Sequence, residues 1–202
     1  MIIKDFIKAL SSKEPIPGGG GASALLGTVG VSLCLMSANI ASGKEEFADH
    51  QKEINFIQIR TNEAVKNLYT LIKKDEEAFE PLSKVYKLPK DTENREQIIE
   101  EALINACSTL LEIIFEVYKI IDIIESLSKK CPRLVLSDVG VGAAACRSAV
   151  EGAAINIYAN TKLMKNREFA CKTESEVDRV LDEVKTRCDK VYESIKDKIK
   201  NK

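Results

Sequence analysis

The chain has 202 residues, with Lys+Arg 30 against Asp+Glu 31 for a formal charge of -1, and is 45% hydrophobic and 30% charged. That composition predicts one ordered domain spanning residues 1–202 and excludes a disordered chain. The balanced charge leaves no basic excess to bind a phosphate backbone, and 5% aromatics without a single Trp give base stacking little to build on, so no nucleic-acid partner is expected.

Helical periodicity runs through almost the whole chain. Ile3, Phe6, Ile7 and Leu10 predict a short amphipathic helix, which Pro15-Ile-Pro-Gly-Gly-Gly-Gly21 then breaks. From Ala22 to Ser42 no residue is charged. About 20 apolar residues are long enough to cross a bilayer. Ser23, Thr28, Ser32, Ser37 and Asn39 dilute this segment, however, and no aromatic belt or second span accompanies it. The reading is therefore a buried central helix in a chain with no membrane partner.

Residues 51–83 carry a three-four seam of Ile54, Ile57, Thr61, Ala64, Leu68, Leu71, Asp75, Ala78 and Leu82. Pro89 and Asp91-Thr92 mark a turn. A second long seam follows: Ile99, Leu103, Ala106, Leu110, Ile113, Val117, Ile120, Ile124 and Leu127. Cys131-Pro132 to Ser137 breaks the pattern, and a strand over Leu134-Val-Leu136 is rejected because it would have no partner. Ser137 is the expected N-cap of a helix running to about Lys165. A capping box, Thr173-Glu-Ser-Glu176, is expected to open the last one, with Val177, Leu181, Val184, Cys188, Val191 and Ile195 along one side. The fold class is all-α: a single-domain bundle of long antiparallel helices around a buried, charge-free helix.

Cysteines at 34, 107, 131, 146, 171 and 188 form no C-x-x-C pair, and His50 is the single histidine, so no metal site is expected. Free, mostly buried thiols and an N-terminus unlike a signal peptide predict a cytoplasmic protein.

Several positions stand out against the seams. Asp75 occupies a place the register reserves for hydrocarbon, which fits either a solvent gap or a general acid/base tuned by burial. Asn156 and Asn160 share one helix face below a row of Gly and Ala, to bond a neighbouring helix or to line a pocket. Gly18-Gly-Gly-Gly21 opens the charge-free helix, where unpaired N–H groups favour an anion. Lys44 follows its far end, where the helix dipole alone favours a cation.

Taken together, Pro17-Gly-Gly-Gly-Gly-Ala-Ser-Ala24, Ala38-Asn-Ile-Ala-Ser-Gly-Lys44, Asp75-Glu-Glu-Ala-Phe79, Leu88-Pro-Lys-Asp-Thr92, Ser137-Asp-Val-Gly-Val-Gly142, Gly152-Ala-Ala-Ile-Asn156 and Asn160-Thr-Lys-Leu-Met-Lys165 resemble the formimidoyltetrahydrofolate cyclodeaminase/methenyltetrahydrofolate cyclohydrolase family. The likeness is strongest to stand-alone, clostridial-type members. Ala41 departs from the Thr that many relatives carry, and Cys131-Pro132 from their Gly-Asn. The resemblance implies a helical homodimer that acts on a C1-substituted tetrahydrofolate and uses no cofactor beyond that substrate. It implies catalytic roles for Asp75, for Lys44 as its partner, and for Asp138 in orienting the pterin. It also implies substrate binding by Gly18, Gly19, Gly20, Asn39, Asn156 and Asn160, with the glycine run receiving the folate's carboxylate side. Phe79 or Tyr86 would pack the p-aminobenzoyl ring. The rival reading is a non-enzymatic helical adaptor whose seams serve self-association.

Overall fold

Seven α-helices and no strand make up the described residues, 2–85 and 88–201, of the computed structural model. Helix α1 (Ile3–Leu10) is anchored by Phe6, while Ile3 and Ile7 stay exposed. The charge-free segment forms α2 (Gly19–Ala41), with Gly18 as its N-cap. A short 3-10 turn then leads into α3 (Gln51–Val85). All nine positions of the α3 seam are buried, Asp75 and Thr61 included. The Thr61 hydroxyl satisfies itself by donating to the Ile57 carbonyl at 2.7 Å.

The second seam is buried as expected, apart from the half-buried Ile99, but two helices share it. Helix α4 (Arg95–Tyr118) ends where the Ile120 N–H bonds the Val117 carbonyl, and α5 (Ile121–Lys130) resumes in the same heptad register. Leu134-Val-Leu136 forms no strand; it is a 3-10 turn running into α6 (Leu136–Thr161). Val135, not Ser137, takes the N-cap position, because that turn delivers the chain already coiled. The last helix, α7 (Arg167–Lys200), likewise starts before the expected capping box. The Asn166 side chain accepts the Phe169 N–H at 3.0 Å and leaves Thr173 buried inside the helix.

Helix α2 lies between α3 and α6 and runs antiparallel to α6: Gly19 meets Asn156, Gly27 meets Ala149, and Gly30 meets Cys146 and Gly142. The two backbones touch at one crossing. A Cβ on Gly30 would lie 2.9 Å from the Gly142 carbonyl, and one on Gly142 would lie 2.9 Å from the Gly30 carbonyl. Only glycine on both sides permits that approach. Helix α7 covers α6 and is clamped to α5 by Arg187, whose guanidinium donates to Glu125 at 2.8 Å, to Glu183 at 3.1 Å and to Asp122.

One stripe of α2 remains on the surface. Leu26, Val29 and Met36 are 43%, 47% and 37% exposed, next to Val141 and Ile155 of α6 at 57% and 65%. The thiols of Cys34, Cys107, Cys146 and Cys188 are buried, Cys131 is half-buried, and Cys171 on α7 is exposed. Burial pushes the Cys34 and Cys188 thiols up to about 12.

Candidate active site

Asp75 projects from the α3 seam against the first turn of α2. A Cβ on Gly20 would fall 2.1 Å from Oδ1 and 2.5 Å from Oδ2, so the carboxyl occupies the space a side chain would need. The Gly21 N–H donates to it. A buried carboxylate thus shares the positive end of a helix, which favours its ionised form. Burial acts the other way and wins. With a smaller push from the nearby Glu76 charge, it raises the Asp75 carboxyl to about 6. At neutral pH such a group is mostly ionised, yet its conjugate acid is strong enough to return a proton.

Helix α6 supplies two amides at i and i+4. The Asn156 Nδ2 donates to the Gly152 carbonyl at 2.7 Å, and the amide presses on Gly19, where a Cβ would lie 2.7 Å from it. Asn160 stands beside Cys107; its side chain partly offsets the burial that pushes that thiol up to about 11. Between them lies a cavity of about 80 Å³, lined by Gly18, Gly19, Gly20, Asp75, Asn156 and Asn160, with Phe79, Ala106 and Leu110 as an apolar wall. Ala106 and Leu110 carry no sequence signal beyond their seam spacing. Phe79 faces the cavity as a ring-packing residue would; Tyr86 lies outside the described residues.

The other expected site residues lie elsewhere. Helix α2 has 23 residues, which at 1.5 Å of rise per residue puts its ends about 33 Å apart. Asp75 is at the N-terminal end and Lys44 is beyond the C-terminal end, so the expected pairing of the two does not form within one chain. Asn39, whose Oδ1 accepts the Gln58 Nε2 at 2.7 Å, and Asp138, in the first turn of the antiparallel α6, share that far end. The glycine run also departs from expectation. Its helix terminus already holds the Asp75 carboxyl, and a folate carboxylate there would face a like charge.

The chain matches the model of the formiminotransferase-cyclodeaminase family over residues 2–179. It is 31% identical to a methenyltetrahydrofolate cyclohydrolase of Methylorubrum extorquens over 98% of this chain and 97% of that one. It is 26% identical to the formimidoyltransferase-cyclodeaminase of Gallus gallus over 89% of this chain but only 34% of the relative, so it spans about a third of that longer protein. Among solved structures it resembles the formiminotetrahydrofolate cyclodeaminase of Thermotoga maritima, with a TM-score of 0.83, 26% identity, and coverage of 96% of this chain and 97% of that one.

Proposed function

The chain belongs to the formiminotransferase-cyclodeaminase family, and from that premise we propose that the Asp75 cavity processes a tetrahydrofolate carrying a C1 unit between N5 and N10. The reaction is hydrolysis of 5,10-methenyltetrahydrofolate to the 10-formyl form, cyclising deamination of 5-formimidoyltetrahydrofolate, or both. Both pass through a tetrahedral carbon joined to N5 and N10, so one acid/base group serves either. The observation that carries this reading is a carboxyl in a seam position, raised to about 6 by burial, beside a cavity with two amides.

In hydrolysis, ionised Asp75 takes a proton from water as its oxygen adds to the C1 carbon. The bond from that carbon to N5 then breaks, the proton returns to N5, and the hydroxyl proton leaves to solvent as the formyl carbonyl forms. In deamination, N10 attacks the carbon of the protonated formimidoyl group, Asp75 takes the N10 proton and gives it to the amino group, which departs as ammonia and leaves the methenyl cation. A positioned group of this kind contributes about 10²–10⁴-fold. The methenyl substrate is a cation, which suits a site whose nearest charges, Asp75 and Glu76, are negative. Asn156 and Asn160 hydrogen-bond the pterin or the C1 unit, and Phe79 packs the adjoining ring. The active form is a cytoplasmic homodimer.

An adaptor role gives Asp75 nothing to do, and ionising a buried carboxyl opposes folding. The test follows methenyltetrahydrofolate by its near-UV absorbance and formimidoyltetrahydrofolate by ammonia release. Turnover of one or both, falling at least 10²-fold in Asp75→Asn, is the expected result; wild-type turnover in Asp75→Asn refutes the assignment.

A further inference from the structure

The amides around the Asp75 cavity are turned in one sense. The Asn156 Nδ2 is engaged by the Gly152 carbonyl at 2.7 Å, and its Oδ1 accepts no hydrogen bond from the described residues. The Asn160 amide lies against the Cys107 thiol and works against the rise that burial imposes on it, as the N–H end of an amide does and the carbonyl end does not. Its Oδ1 is likewise without a donor among the described residues. With the Asp75 carboxyl, three oxygen-bearing groups therefore converge from α3 and α6. Every other side chain lining the cavity is apolar, the rest of the wall being glycine, and among the described residues no Lys, Arg or His reaches it.

Two amide oxygens beside a carboxylate match a group that carries several N–H donors and a positive charge. The volume, about 80 Å³, is several times the roughly 10–15 Å³ that one water needs, yet well short of the roughly 300–1,000 Å³ of a site that encloses an organic ligand. It receives the reacting end of a molecule and not the whole. The two candidate reactions differ at that end by one atom. Once C1 is tetrahedral, hydrolysis places a hydroxyl there, with one hydrogen. Deamination places an amino group there, which carries three hydrogens after Asp75 has handed over its proton. The C1–nitrogen bond then breaks with its electron pair on the departing nitrogen. Three N–H donors satisfy the three groups, whereas a single O–H leaves two of them unpartnered. We propose that Asp75, Asn156 and Asn160 form a pocket for a nitrogen bearing three hydrogens, the one that deamination releases as ammonia, and that Cys107 is the positioning residue that keeps the Asn160 oxygen turned into it. This rests on the folate reading above and narrows it: the chain is built for the formimidoyl substrate in preference to the methenyl one. Cys107 is fully buried and lines no part of the cavity, so it acts only through Asn160. Free ammonium presents the same N–H donors and enters the same pocket.

The first measurement uses no folate. Thermal melts of the full chain are compared in equal concentrations of ammonium, potassium and tetramethylammonium chloride. Ammonium is expected to raise Tm above both of the others, and Asn160→Leu, or Asn160→Ala should the first not fold, to erase the difference. Potassium is an ion of similar size without N–H groups, so an equal rise with potassium overturns the pocket, as does no rise specific to ammonium. The second measurement is the ratio of ammonia release from formimidoyltetrahydrofolate to hydrolysis of methenyltetrahydrofolate. Cys107→Ala frees the Asn160 amide to turn and is expected to lower that ratio at least 10-fold; Cys107→Ser keeps an acceptor for the amide and is expected to restore most of it. A purely structural loss lowers both rates together and leaves the ratio unchanged, which overturns the positioning role. Should the wild type turn over neither substrate, the folate reading fails, and the pocket is then judged by the ammonium melts alone.

Discussion

Asp75 and Gly20 occupy each other's space: the carboxyl of one lies where the Cβ of any other residue at position 20 would be, 2.1 Å from Oδ1. Gly20→Ala therefore forces either the carboxyl or the α2 terminus to move. The expected outcome is a loss of turnover of at least 10-fold, with helical circular dichroism retained and stability lowered by about 1–3 kcal/mol. Steady-state kinetics and a thermal melt on the same preparation check it.

The burial of Asp75 opposes stability once the group ionises. The folded chain holds its proton to about 6 against an ordinary value of 3.8, so the native state binds that proton more tightly than the unfolded one. This contribution to stability falls as pH rises from about 4 to about 6 and stays reduced above that, by about 3 kcal/mol. Asp75→Asn removes the charge and keeps an acceptor for the Gly21 N–H. Denaturant unfolding at pH 8 is expected to show the variant more stable than the wild type, with the gap closing by pH 4. Turnover falls at both pH values.

The crossing of α2 and α6 tolerates no added volume. A Cβ on Gly142 would sit 2.9 Å from a backbone carbonyl and 3.2 Å from the Cys34 Sγ, and backbone cannot rotate aside as a side chain can. Gly142→Ala should cost about 1–3 kcal/mol, which in a domain of this size lowers Tm by roughly 2–12 °C. Differential scanning fluorimetry reads this directly.

Arg187 separates folding from chemistry. It ties Asp122 and Glu125 of α5 to Glu183 of α7 and does not line the Asp75 cavity. Arg187→Met leaves three carboxylates facing one another. The expected result is a lower Tm, partly recovered in high salt, with per-molecule turnover unchanged at a temperature where the variant stays folded.

The bundle was legible because its seams are long: each α3 position repeated the same test, and one charged exception, Asp75, stood out against eight uncharged neighbours. Helix starts were less legible, since Thr173 satisfies the local capping pattern as well as Asn166 does and only the preceding turn decides between them. Gly20, Asn156 and Asn160 were readable as a site because close approach demands glycine and two amides share one face. The placement of Lys44, Asn39 and Asp138 was not. Motifs that flank a single long helix are neighbours in a sequence pattern and strangers in space, and only the helix length, read as a distance, reveals it. Ala106 and Leu110 left no trace because a cavity wall and a core use the same side chains.

The thiols have a consequence for handling the molecule. Four of the six are sealed inside the bundle and a fifth is half-covered, which leaves Cys171 on α7 as the one sulfur fully open to reagents. A maleimide dye or a spin label will accordingly attach at a single address on the folded chain, remote from the glycine crossing, and any second adduct becomes a direct report that the helices have come apart.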